Sequence, residues 1–197
     1  MKGGISINGE KRFKCLPAAY TIRQVELMNR FRMLWEQHDV WTRETINGIV
    51  FGLPNLDLVI RRLLRNPRDF ADVFREFYGN RIAARFEELF TEHLTLAADL
   101  VNAAKAGNSS EAERVEKRWF ENAEEIARFF GNINPFWSRS QWREMMFEHL
   151  NLVKKEAVTL LEGNFEENIA VYDRIEKQTL AMADEMADGI IRQFCLC

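Results

Sequence analysis

Apolar side chains recur along this chain at steps of three and four, the spacing of one helix face. The clearest stripe runs Leu27, Phe31, Leu34, Trp35, His38, Trp41, Thr45 and Ile49. Thr21-Ile22-Arg23-Gln24 precedes it as a capping box, in which the threonine hydroxyl accepts from the third amide and the glutamine reaches back. Gly48, Gly52 and Pro54 end the helix. Leu56, Val59, Ile60, Leu63 and Leu64 form the next stripe, with Asn55 as its cap. Asn66-Pro67 breaks that stripe, and Asn66 reads as a fresh cap with Pro67 in the first helical position before Phe70, Val73, Phe74 and Phe77. Gly79 closes this unit.

Two further pairs of stripes follow. Ile82, Phe86, Leu89, Phe90, His93, Leu96, Ala97 and Leu100 lead to Gly107. Ser110-Glu111-Ala112-Glu113 then reads as a capping box before Val115, Trp119, Ile126, Phe129 and Phe130. After the breaker Asn132-Ile133-Asn134-Pro135 come Trp142, Met145, Met146, His149, Leu152, Glu156 and Leu160. The turn Gly163-Asn164 supplies another cap, and a last helix carries Ile169, Tyr172, Ile175, Leu180, Met182, Met186 and Ile190.

His38, His93 and His149 are the only histidines, 55 and 56 residues apart, and a glycine follows each by 14 residues. The pattern predicts an all-α, up-down helical bundle of about six helices built from three repeated helical hairpins, at residues 21–79, 80–133 and 134–190. A single domain would span 21–194, between an N-terminal arm at 1–20 and a tail at 195–197. Short turns make sequential helices antiparallel, so the three histidine helices run parallel. Each histidine then stands about 21 Å before its glycine at 1.5 Å per residue, and the three share one level.

Composition narrows the functional classes. The 197 residues are 47% apolar and 12% aromatic, enough for one sizeable core. With 27 basic and 30 acidic residues the net charge is -3, which gives no general attraction to nucleic acid or anionic lipid. No apolar run is long enough to span a bilayer and no signal-type stretch opens the chain, so a cytoplasmic location is the expectation. Cys15, Cys195 and Cys197 are too few for a disulfide framework, and their odd number fits a reducing compartment. No P-loop, G-x-G-x-x-G, G-x-S-x-G or C-x-x-C occurs, so hydrolase, kinase and dinucleotide-enzyme readings have no motif to stand on.

The chemistry-bearing feature is the histidine set. Imidazole suits zinc, iron, copper or nickel, and bundle cores are a common place to assemble such sites. His38, His93 and His149 are therefore candidate metal ligands, joined by Glu156, seven residues after His149 on the same face. Glu36 lies two residues before its histidine, and Glu92 and Glu148 one before, so none shares its histidine's face at the i, i+3 spacing of di-iron bundles. A metal, iron or zinc, would have to be held between helices, with help from acids such as Asp69, Glu125 or Asp184. The other reading is structural: each imidazole makes a buried hydrogen bond inside its own hairpin. The Trp and Phe stripe reads as core, and Arg61, Arg62, Arg65 and Arg68 as a solvated basic face.

Leu34-Trp35-Glu36-Gln37-His38 with Trp41-Thr42-Arg43, Glu92-His93-Leu94, Ile133-Asn134-Pro135 and Gly189-Ile190-Ile191-Arg192-Gln193-Phe194 carry a resemblance to an uncharacterised family of small bacterial all-helical proteins, over roughly residues 24–194. More distantly the chain is similar to ferritin-like and hemerythrin-like bundles, some of which hold iron on Glu and His. The resemblance implies a bundle of ferritin-like character. The function expected is a structural, binding or interaction module, with a metal-binding, redox-related bundle as the alternative and a small apolar ligand between the Trp- and Met-rich helices as a third reading. A second copy of the chain or another protein is the partner to be expected, and no membrane or nucleic acid.

Overall fold

The computed structural model describes residues 20–196, which form an all-α bundle. Its helices are α1 (Ile22–Phe51), α2 (Leu56–Leu63), α3 (Asn66–Lys105), α4 (Ser109–Ile133), α5 (Arg139–Leu161) and α6 (Phe165–Gln193). Five are long and α2 has eight residues, so the expected count of about six full helices is not what is seen. The difference lies in the first unit. Its second helix is split into α2 and the start of α3, and α3 then runs through the expected boundary at Gly79.

Gly79 is nevertheless a corner, with φ 76° and ψ 176°. Phe74 stacks on Phe86 at 4.6 Å between ring centroids, and Phe70 meets Phe90 at 5.4 Å. In a straight helix these pairs would be about 18 and 30 Å apart along the axis. Residues 66–78 and 80–105 therefore fold back on each other, a reversal that the left-handed φ permits to glycine at little cost. Each long helix packs on the next in sequence, and α1 closes the ring by packing on both α3 and α6. No helix among the described residues is long and apolar enough to cross a membrane.

Caps follow the local sequence with two corrections. Thr21 and Gln24 form the expected capping box, and Asn164 accepts from Glu167 N–H. The cap of α4, however, is Asn108, which accepts from Glu111 N–H two residues before the expected Ser110. Asn66 caps nothing: Arg65 takes that place, and the Asn66 side chain, wholly buried, turns inward to donate to the Leu34 carbonyl at 3.0 Å. A buried amide stays near a buried carbonyl because leaving either unpaired is costly. The expected arm lies outside the described residues except for Tyr20, as do Cys15 and Cys197.

Aromatic rings fill the upper and middle core, among them Trp35, Phe70, Phe74, Phe86, Phe90, Phe130, Trp137 and Trp142. Trp137, on the α4–α5 connection, donates its indole N–H to the Glu185 carbonyl and lies close against Gly189. A Cβ at Gly189 would stand 1.9 Å from Trp137 Nε1, so only glycine leaves room on α6 for this ring.

Candidate functional site

Three amide side chains, none foreseen from the sequence, organise the middle of the bundle. Asn66 donates to the Leu34 carbonyl, Asn122 to the Leu89 carbonyl and Gln178 to the Met145 carbonyl, at 3.0, 3.0 and 2.9 Å. Each of these carbonyls belongs to the residue four before a histidine. The oxygen of the same amide faces that histidine: His93 Nδ1 is 3.0 Å from Asn122 Oδ1, and His149 Nδ1 is 3.2 Å from Gln178 Oε1. Asn66 is placed likewise beside His38, but His38 Nδ1 and Asn66 Oδ1 stay buried without a partner at bonding geometry. The three amides occupy matching places in their stripes, between Leu63 and Phe70, Trp119 and Ile126, and Ile175 and Met182. A polar residue in the core stripe of each second helix was the available signal.

The carbonyl on the other side of each amide fixes the chemistry. A carbonyl only accepts, so the amide NH2 must face it and the amide oxygen must face the imidazole. His93 and His149 therefore donate from Nδ1, which leaves their Nε2 atoms with a lone pair. This tautomer is assigned from the hydrogen-bond network. Burial drives the His93 and His149 pKa values down to about 3 and about 4. Burial, and then the neighbouring imidazoles of His149 and His93, push His38 well below its ordinary value. All three rings are neutral at pH 7.

The candidate ligands come together only in part. His38 Nε2 and His149 Nε2 meet at 3.3 Å across the bundle. Phe90 stacks on both His38 and His93, with centroids 5.2 and 5.8 Å away, and no hydrogen bond or ring contact joins His93 to the other two. Glu156 is committed elsewhere, bound to Arg43 Nη1 at 2.5 Å. Asp69, Glu125 and Asp184 are likewise paired, with Arg65, Arg118 and Arg32. Among the described residues no three His, Cys, Asp or Glu side chains are disposed to hold a metal ion.

A second polar network runs where α1, α5 and α6 meet. Arg43 donates to Glu156 and to Asn168 Oδ1, and its guanidinium lies 4.4 Å over the Tyr172 ring. Burial pushes the Glu156 carboxyl up to about 7 in spite of the guanidinium beside it. Asp39 accepts from the Thr179 hydroxyl, keeps a buried oxygen unpaired, and is raised well above the carboxylate range by its burial. The network reads as an internal tie between helices.

A crevice does open at the Phe51 end of the bundle, between α3, α4 and α5. It holds about 110 Å³ and is lined by Ala97, Leu100, Val101, Ala104, Ala112, Trp119, Val153, Ala157, Val158 and Leu161, with Glu116 and Lys154 also at its wall. A smaller void of about 10 Å³ adjoins it through Ala97, Val101 and Val153 and is lined by Thr42. Trp119 Nε1 and Thr42 Oγ1 are both buried without a hydrogen-bond partner. Lys154 and Glu116 pair at 2.6 Å.

Compared with known proteins, the chain matches no family model, no curated protein and no solved structure.

Proposed function

We propose that this protein is a binding module that takes a small, largely apolar molecule, bearing one hydrogen-bond acceptor, into the alanine-lined crevice. The observation that carries the reading is Trp119. It lines an apolar crevice of about 110 Å³ and keeps its indole N–H buried without a partner. An unpaired buried donor is costly, and a ligand acceptor is one way to satisfy it. The volume suits a five- or six-membered ring, since an apolar cavity of roughly 150 Å³ takes benzene. Catalysis is no part of the proposal, for no nucleophile, acid or base lines the crevice apart from the paired Glu116 and Lys154.

The histidines serve this module as neutral internal struts, and we read the three amide–histidine–carbonyl contacts as copies of one ancestral hairpin. Support comes from their spacing. The amide follows the carbonyl it binds by 32, 33 and 33 residues. A protein partner is the second reading. It is favoured by Phe51, Leu53, Phe165 and Ile169, which are exposed together near the same end.

Titration of 15N-labelled protein with cyclopentanone tests the first reading. The expected result is a saturable shift of the Trp119 indole resonance, lost in Ala157→Leu, which fills the crevice. No saturable shift, or one that survives in Ala157→Leu, overturns the proposal.

A further inference from the structure

A threonine inside a helix commonly turns its hydroxyl onto the carbonyl four residues before, which satisfies a polar group that would otherwise need water. Thr45, Thr95, Thr159 and Thr179 do so, donating to the carbonyls of Trp41, Thr91, Lys155 and Ile175 at 2.8, 2.9, 2.9 and 3.0 Å. Thr42 departs from this habit. It is only 7% exposed, yet its Oγ1 is buried without a hydrogen-bond partner. A hydroxyl shut away from water and left unbonded is costly. Thr42 stands on the wall of the void of about 10 Å³ beside the alanine-lined crevice, and Ala97, Val101 and Val153 line both spaces. That volume is close to the least that admits one water-sized group. A water held there would be poorly bonded, since it needs two to four polar partners. The other walls are apolar, Ile46, Leu63 and Leu94 among them, apart from Thr45, whose hydroxyl is already given to Trp41. A hydroxyl carried in on a ligand asks for less, because the ring that bears it holds it in place and Thr42 Oγ1 alone can pair with it.

We infer, resting on the crevice reading proposed above, that Thr42 is the second polar anchor of the crevice and that its ligand class is a small cyclic hydroxy ketone, with the carbonyl on one edge of the ring and the hydroxyl on another. The two anchors sort the two groups by their chemistry. An indole N–H only donates, so Trp119 takes the carbonyl, whereas a hydroxyl both donates and accepts, so Thr42 takes the hydroxyl. The apolar part of the ring then lies against Ala97, Val101 and Val153, which belong to both spaces. Thr42 is unpaired before anything binds, so a ligand that lacks the hydroxyl loses nothing there and one that has it gains a bond. Thr42 therefore sets the preference among ligands, and the crevice itself sets whether a ring is taken at all.

The test compares racemic 3-hydroxycyclopentanone with cyclopentanone on the full chain and on Thr42→Val, with affinities read from the Trp119 indole resonance of 15N-labelled protein. Thr42→Val keeps the shape and removes an unpaired hydroxyl, so it should melt at or above the wild-type temperature. The wild type is expected to bind the hydroxy ketone roughly 3–10-fold more tightly than cyclopentanone, the worth of one hydrogen bond. In Thr42→Val that order should reverse, because the ligand hydroxyl is stranded, while cyclopentanone binds as before. Equal affinities in the wild type, or a preference that survives in Thr42→Val, overturn the role of Thr42 and leave the crevice reading standing. Binding of neither compound overturns both. A Thr42→Val protein that melts clearly lower also overturns the role, since the hydroxyl would then be serving the fold.

Discussion

The middle of the bundle and its Phe51 end are built from the same helices in the same order, yet one is closed and the other is open. At the level of the histidines, Trp35, Phe70, Phe86 and Phe90 meet ring against ring, and the polar atoms among them are mostly held by side-chain amides. One to three turns further along α3 and α5, and at the facing start of α4, stand Ala97, Ala104, Ala112 and Ala157. Four small side chains around one point cannot fill the space between three helices, and a crevice remains. The contrast shows that whether a helical bundle is closed or open at a given level is decided by side-chain volume at a few positions, with no change of helix geometry.

The largest break in that contrast comes from hollowing out the closed layer. Phe90→Ala removes the ring that stacks on both His38 and His93, and should cost about 3–5 kcal/mol in urea unfolding. Asn122→Leu keeps the volume but strands His93 Nδ1–H and removes the amide bond to the Leu89 carbonyl. It should cost about 2–3 kcal/mol by the same measurement.

Acid should act on the two polar systems with opposite signs. The folded-state pKa of His93 is lowered from 6.5 to about 3, so its contribution is complete above about 6.5 and is lost as the pH falls toward 3. One such group lowers stability by about 1.4 kcal/mol per pH unit inside that window. Unfolding free energies measured between pH 4 and 7 should show a shallower slope in His93→Gln. The Glu156 pKa is raised from 4.5 to about 7, so its contribution is present below about 4.5 and is lost as the pH rises through 7. Glu156→Gln should remove that loss, and an unchanged pH profile would mean that Glu156 is not held protonated by burial.

The smallest expected effect sharpens the comparison most. Ala157→Leu adds three carbons where there is room for them, and should change stability by less than about 1 kcal/mol. Leucine for Ala123 or Ala127, both wholly buried beside the aromatic layer, should cost about 1–3 kcal/mol through overpacking. Thermal melts of the three variants side by side would show whether the open end is as loosely filled as its volume indicates.

Much of the fold was legible in the sequence because helix formation is local. Thr21 with Gln24, Gly107, Asn164 and the apolar stripes act through neighbours within about four residues, and the all-α architecture follows from them. The element count was misread where two local signals collided. Asn66-Pro67 looks like an ordinary helix start, but Asn66 is drawn inward by a carbonyl 32 residues earlier in the chain. The candidate site was legible only as three equivalent histidines. Their amide partners stood in the core stripes of the second helices, yet a lone Asn or Gln in a stripe does not say which carbonyl and which imidazole it will meet.

The sequence by itself thus determined the helices, their turns, and the burial of His38, His93 and His149, since periodicity and capping are properties of adjacent residues. Only the tertiary structure decided that His38 faces His149 while Phe90 stands against both His38 and His93. It alone decided which ring nitrogen of His93 and His149 meets an amide oxygen, and that Glu156 is taken by Arg43. The same holds for the four alanines that leave a crevice. These outcomes depend on the volumes and hydrogen-bonding needs of side chains far apart in the chain, which meet only when the ring of helices closes.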